Sequence, residues 1–243
     1  AGITVVEAAS ERDEAAAIAI ALRRAVDTPG QRAALVTGDR ALARRVAAEL
    51  KRFGITANDS GGTPLVNTPA TVLLRLMVRC AFQPGDPIAL LALIKHPLLA
   101  LGLERGTVRL AAELIELFAL RGGTGRPDLA TLTAHFKQRL VQPGGGKRQP
   151  FWFTRFSASR IEQALAVLGR FEAALEPLIA LRGNEDLNVA ALTKVSVETF
   201  EALGRSADGS LARLYEGDAG EKLAQVLRDL VATPETFSVA AGE

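Results

Sequence analysis

The residues best suited to chemistry in this chain form the run Ser60-Gly61-Gly62-Thr63-Pro64. Paired glycines let a backbone approach a ligand closely, and successive backbone N–H groups in such a turn can hold a phosphate. The same residues suit an ordinary turn between two domains, and residue types alone leave both readings open. A second glycine run, Pro143-Gly144-Gly145-Gly146-Lys147, lacks the spacing of a phosphate loop. That motif needs Gly, four residues, then Gly-Lys and a hydroxyl residue, placed between a strand and a helix. Arg148 stands where the hydroxyl belongs, so a flexible surface loop is expected. Gly122-Gly123-Thr124-Gly125 fails the same comparison.

Other reactive types are isolated. His96 and His135 are the only histidines, and neither has a second ligand at metal-binding spacing. Lys95-His96-Pro97 reads as a helix end, where positive charge favours the dipole. Cys80, the single cysteine, excludes an internal disulfide and sits in an apolar helical run as a small core residue. No nucleophile stands beside a base, so no catalytic residue is assigned and no metal or cofactor is expected. Phe151-Trp152-Phe153, flanked by Lys147, Arg148 and Arg155, has the composition of a base-stacking platform. It equally suits a seal between helical layers, the favoured reading.

The elements that must position the glycine run lie on either side of it. Residues 3–6 (ITVV) read as a short buried strand. Ser10 and Asp13 start a helix that runs to Val26, with Ala17, Ile20, Ala21 and Arg24 at helical spacing. Residues 33–37 (AALVT) form a second strand, apolar enough to be central in a parallel sheet. Asp39 caps a helix over residues 40–53, whose Leu42, Val46 and Leu50 are expected to face the sheet, with Gly54 closing it. Residues 55–57 complete a βαβαβ order, which right-handed crossovers fold into a parallel sheet. The glycine run then leaves the C-terminal end of a strand, where open α/β sheets place ligands. Beyond it the pattern is helical. Thr68 is expected to cap a helix to Phe82 with Pro69 at its first position, and Asp86-Pro87 start one ending near Lys95-His96-Pro97. Further helices are expected over residues 106–120, 128–141 and 157–181 and within 188–232, with residues 237–239 as a returning strand. The expected class is therefore α/β plus mainly α: a partial α/β lobe over 1–68, a helical insertion over 69–236, and a return to the lobe over 237–243.

Bulk properties narrow the setting. A net charge of +2 demands no nucleic-acid partner by itself, so any basic surface must be local. No uncharged apolar run reaches the roughly 18 residues of a membrane span, and the N-terminus has no signal-peptide pattern. A cytoplasmic protein without membrane contact is expected. The chain opens without Met and reads as an internal piece of a longer protein.

Several of these stretches, in this order, resemble a known family. Glu7-Ala8-Ala9 before a helix, then AALVTGDRALARRVAAELKRFGI, NDSGGTPL, LLRLM and DPIALLALIKHPL are similar to a succession in UvrD-like superfamily 1 helicases. More narrowly, they resemble the AddB subunits of bacterial AddAB helicase-nucleases, with best coverage over residues 5–102. The resemblance implies an incomplete RecA-like lobe of the helicase 2A type carrying a 2B-like helical insertion. It also implies a place in double-strand break repair and recombination, beside an AddA-like helicase-nuclease partner in an ATP-dependent complex. In active relatives the strand matching residues 33–37 ends in an arginine that reaches ATP phosphates. Thr37 stands there, a degenerate nucleotide-contact position. Thr68 matches a position often filled by arginine near single-stranded DNA. The resemblance therefore implies a non-catalytic motor-like region in which Gly61, Gly62, Thr63 and Thr68 touch single-stranded DNA. The competing expectation is a scaffold that docks the AddA-like subunit without DNA contact.

Overall fold

The computed structural model describes residues 2–62, 64–121, 127–141, 153–184, 186–234 and 238–239. They are mainly helical, and the chain divides into two units, Ala1–Gly62 and Thr63–Glu243.

The first unit is a pair of helices, α1 (Glu11–Val26) and α2 (Arg40–Arg52). Ser10 caps α1 by accepting from the Asp13 N–H at 3.2 Å, and acids fill the first turn while Arg23 and Arg24 fill the last, as the helix dipole favours. Asp39 caps α2 by accepting from the Ala41 and Leu42 N–H groups. Those two bonds stabilise the ionised carboxylate and hold its pKa below the usual value. Gly54, with φ +71°, takes the left-handed turn that ends α2.

The core of this unit is Ala15 and Ala19 against Val46 and Leu50, with Ile18, Leu22, Leu42, Leu35 and Ile55 around it. The α1 stripe is thus 15, 18, 19 and 22, not the set containing Ile20, which is half exposed. Leu42, Val46 and Leu50 face α1 rather than a sheet. The three expected strands take no ladder hydrogen bonds among the described residues, and residues 3–6, 33–37 and 55–57 lie outside any helix or strand. A strand's backbone groups are satisfied only by a neighbouring strand, so an apolar β-branched run without one stays exposed. Ile3 is 96 % and Val36 94 % exposed, whereas Leu35 and Ile55, on the helix side, are partly buried.

The second unit contains α3 (Pro69–Phe82), α4 (Pro87–Ile94), α5 (Arg105–Ile115), α6 (Leu132–Val141), α7 (Ala158–Ile179), α8 (Val189–Gly204) and α9 (Gly217–Val231). It begins before residue 68, because Leu65, in the 3-10 turn Leu65–Asn67, packs on its core. Asp86 caps α4 and pairs with Arg79 at 2.7 Å. The expected continuous helix over 106–120 changes pitch at Glu116, where a π turn, Glu116–Leu120, follows α5. That turn carries Phe118 into the core, with ring centroids 5.2 Å from Phe136 and 5.5 Å from Phe153. Phe153 is therefore a half-buried residue packed against the core, while Phe151 and Trp152 lie outside the described residues.

At the far end of α7, Arg182 forms a bidentate pair with Asp128, both contacts at 2.8 Å, and its Nε–H donates to the Ala81 carbonyl. One guanidinium thereby joins the ends of α3 and α7 to the turn before α6. A Cβ on Gly220 would collide with the Tyr215 backbone, so α9 meets the turn after α8 at glycine distance. The expected return of the C-terminal segment to the first unit is not what is seen. Ser238–Val239 (β2) pairs antiparallel with Leu187–Asn188 (β1), inside the helical unit.

Candidate functional site

The glycine run is held by two residues that spacing did not single out. Arg40 is the first residue of α2, where a positive charge opposes the helix dipole. Its position is explained by Asp59, 19 residues on. Arg40 Nη1 donates to Asp59 Oδ1 at 2.9 Å and Nη2 to Oδ2 at 2.7 Å. Nη2 also donates to the Gly62 carbonyl at 2.9 Å. Asp59 in turn accepts from the Gly61 N–H at 2.9 Å, and its carbonyl accepts from the Gly62 N–H at 3.0 Å. The result is an Asx-type turn clamped from outside by a planar guanidinium.

This arrangement decides what each glycine does. A Cβ on Gly61 would meet the Arg40 guanidinium, so a larger residue there would displace that flexible side chain from its place on the loop. Gly62 has φ +56°, a left-handed conformation that glycine adopts freely, and open space beside it. Both amides are already bonded to Asp59. A phosphate cradle of free loop N–H groups is therefore not what the loop offers. The available donors belong to Arg40, which has five N–H groups and uses three on Asp59 and Gly62. Its Nε–H and one Nη1–H have no partner among the described residues. The pair is part-exposed, at 42 % and 41 % of the two side chains, and Arg40 draws the Asp59 carboxyl down to about 2.

The remaining sequence candidates fall as follows. Thr37 is half-buried, and its hydroxyl accepts from the Asp39 N–H at 3.0 Å, so it shapes the entry to α2. Thr68 lies in the other unit and is 8 % exposed. Its hydroxyl donates to the Leu65 carbonyl at 2.9 Å and lies 3.1 Å from the Thr71 hydroxyl. It precedes Pro69 at the start of α3, but its hydroxyl is spent on Leu65 and accepts from no helix N–H, so the expected side-chain cap is not made. Thr63 and the runs 122–126 and 142–150 lie outside the described residues.

His96 is not the charged helix cap that its position suggests. It is buried, its Nδ1 accepts from the Leu98 N–H at 3.2 Å, and burial lowers its pKa to about 4. Lys95 instead reaches Glu116, whose other oxygen accepts from Arg121 at 2.6 and 2.8 Å, and these cations hold the Glu116 carboxyl low. Burial pushes the Cys80 thiol up to about 12, which makes it inert. Among the described residues no cluster of His, Cys, Asp or Glu has metal-binding geometry, and no helix is long and apolar enough to cross a membrane.

The signal that could have found the clamp was present. Asp two residues before Gly-Gly is a turn signature, and an arginine at a helix start asks for an acid. The missing information was the partner's place, because neither residue lies in the other's periodic pattern. No protein-family model, curated protein or solved structure matches this chain.

Proposed function

We propose that this chain is a non-catalytic, helicase-like region of an AddB-type subunit, which binds or guides single-stranded DNA during double-strand break repair and recombination. The observation that carries the reading is the Arg40–Asp59 clamp. The two stretches most similar to the AddB family, AALVTGDRALARRVAAELKRFGI and NDSGGTPL, are joined by this one ion pair. The clamp sets out a part-exposed cation beside an open glycine. Such a group suits contact with a phosphate backbone, which fixes position without reading sequence. In this reading Arg40 makes the direct contact, Gly61, Gly62 and Thr63 let the strand approach, and Thr68 secures the start of α3. Thr37, which bears no charge, leaves the ATP-sensing position empty of a cation.

The same reading takes residues 1–68 as an incomplete RecA-like lobe of the 2A type and the helical unit as a 2B-like insertion. What supports it is the order of apolar segment, α2 and apolar segment, with Leu35 and Ile55 lying on the helix pair. An AddA-like subunit would be the partner and the cytoplasm the setting. The test is fluorescence anisotropy with oligothymidylate on the full heterodimer. Gly62→Asp, which places a carboxylate beside the clamp, is expected to weaken binding about tenfold; unchanged affinity and translocation would overturn the proposal.

A scaffold reading also has an observation in its favour. Ile3, Val5, Val6 and Val36 are exposed β-branched residues outside any helix or strand, a composition that suits strand pairing with another chain. Photocrosslinking with bromodeoxyuridine-substituted DNA separates the two readings. Adducts at the glycine loop support DNA contact, and adducts confined to other regions support the scaffold.

A further inference from the structure

The helical unit contains a cavity of about 580 Å³ between α4, the turn that follows it, and the first two turns of α5. That volume falls in the range of small-molecule sites. One wall is aliphatic, from Ile94, Leu99, Val108 and Ala112. The opposite character comes from Arg105 and Arg109, which line the same space and are exposed. Among the described residues neither arginine has an ion-pair partner. Lys95 also lines it but is engaged by Glu116, and Glu113 contributes one carboxylate.

Two further features add donors. Glu104, the residue before α5, makes no side-chain cap, and the first amides to bond back to its carbonyl are those of Thr107 and Val108. Among the described residues the Arg105 and Gly106 N–H groups at the helix start have no partner and can meet a ligand. Gly106 lines the cavity, and a Cβ there would meet nothing within 4 Å. Independently, His96 lines the cavity while only 9 % exposed. Its Nδ1 accepts from the Leu98 N–H, which leaves the ring proton on Nε2. That Nε2–H has no partner among the described residues. The ring belongs to the lining of a space whose rim is cationic, where this donor is available to a ligand.

We propose that this cavity binds a nucleoside phosphate, free or as one residue of a single strand. The phosphate is held by Arg105, Arg109 and the amides at the start of α5, and the base lies against the aliphatic wall, within reach of His96. Glu113 is then the acceptor for a base or sugar donor. The site shares no residue with the glycine loop and does not rest on the DNA reading.

Isothermal titration of the whole chain with thymidine 5′-phosphate, oligothymidylate and inorganic phosphate tests this. Saturable binding of the nucleotide or the oligonucleotide is expected, with inorganic phosphate weaker because it leaves the wall uncovered. Binding of thymidine 5′-phosphate identifies a free nucleotide as sufficient, and binding of oligothymidylate alone identifies a strand as the source. Gly106→Asp sets a carboxylate at the second position of α5, which the helix dipole favours, so folding is retained while the anion is repelled. It and Arg105→Ser/Arg109→Ser are each expected to lower affinity at least about tenfold with an unchanged melting temperature. Gly62→Asp is expected to leave thymidine 5′-phosphate binding unaltered. The proposal fails if neither thymidine ligand binds, if inorganic phosphate binds as tightly, if Gly106→Asp keeps full affinity, or if Gly62→Asp abolishes mononucleotide binding.

Discussion

The first unit sets two alanines of α1 against Val46 and Leu50 of α2 and leaves its β-branched runs in solvent. The helical unit instead buries aromatic and long aliphatic side chains on every helix and ties helix ends together with ion pairs. Small side chains bring two helices close but remove little apolar area from water. Burial of Phe118, Phe136, Phe200 and the leucines around them removes much more. The order in the first unit's glycine loop therefore comes from polar geometry, chiefly Arg40 on Asp59, and not from a core. A loop held that way, on the surface and by charge, is suited to exchange its partner for another anion.

The largest expected effect lies in the helical core. Phe118→Ala would empty the point where the π turn meets Phe136 and Phe153, at a cost of about 3–5 kcal/mol. Denaturant titration followed by circular dichroism reads this as a fall in midpoint of the helical unit. A cost below about 1 kcal/mol would mean that the π turn does not anchor that core. Next is Arg182→Ala, which leaves Asp128 and the Ala81 carbonyl without their shared donor. A loss of about 2 kcal/mol is expected, since the pair is only part-exposed. Asp128→Asn at the other end should give a smaller loss, because the N-cap acceptor survives.

Acid sharpens the contrast between the units. His96 has its folded pKa lowered to about 4 from 6.5, so the unfolded chain takes up that proton first. Its contribution to stability is complete above pH 6.5 and is lost as pH falls toward 4. Asp59, lowered from 3.8 to about 2, loses its contribution only as pH falls through that lower window. Urea melts of the helical unit should therefore weaken between pH 6.5 and 4. His96→Asn, which keeps an acceptor for the Leu98 N–H, should flatten that slope; an unchanged slope would exclude His96 as its source.

Much of the helical architecture could be read from residues alone, and the reasons are local. Ser10, Asp39, Asp86-Pro87 and Ser157 each cap the helix expected after them, and Thr68 with Pro69 marks the start of α3. What could not be read was non-local. A strand exists only by its neighbour, so residues 33–37 look the same in sequence whether paired or exposed. The pairing of Leu187 with Val239 links residues that share no periodic pattern. The pitch change at Glu116 is hidden because the apolar pattern of α5 continues through it. In the candidate site, Gly61 and Gly62 were found by type, while Arg40 and Asp59 were missed because each looked like an ordinary charged surface residue.

The central claim is that the clamp presents Arg40 to single-stranded DNA, and Asp59→Asn tests it most directly. The asparagine keeps an oxygen for the Gly61 N–H but removes the charge that competes for the guanidinium. Oligothymidylate binding by the complex with the proposed AddA-like partner should tighten in Asp59→Asn. In Arg40→Gln it should weaken, with the slope of log K against log salt reduced by about 0.7, the loss of one phosphate contact on a single strand. Unchanged affinity in both variants, or weaker binding in Asp59→Asn, would show that the clamp serves only to shape the loop.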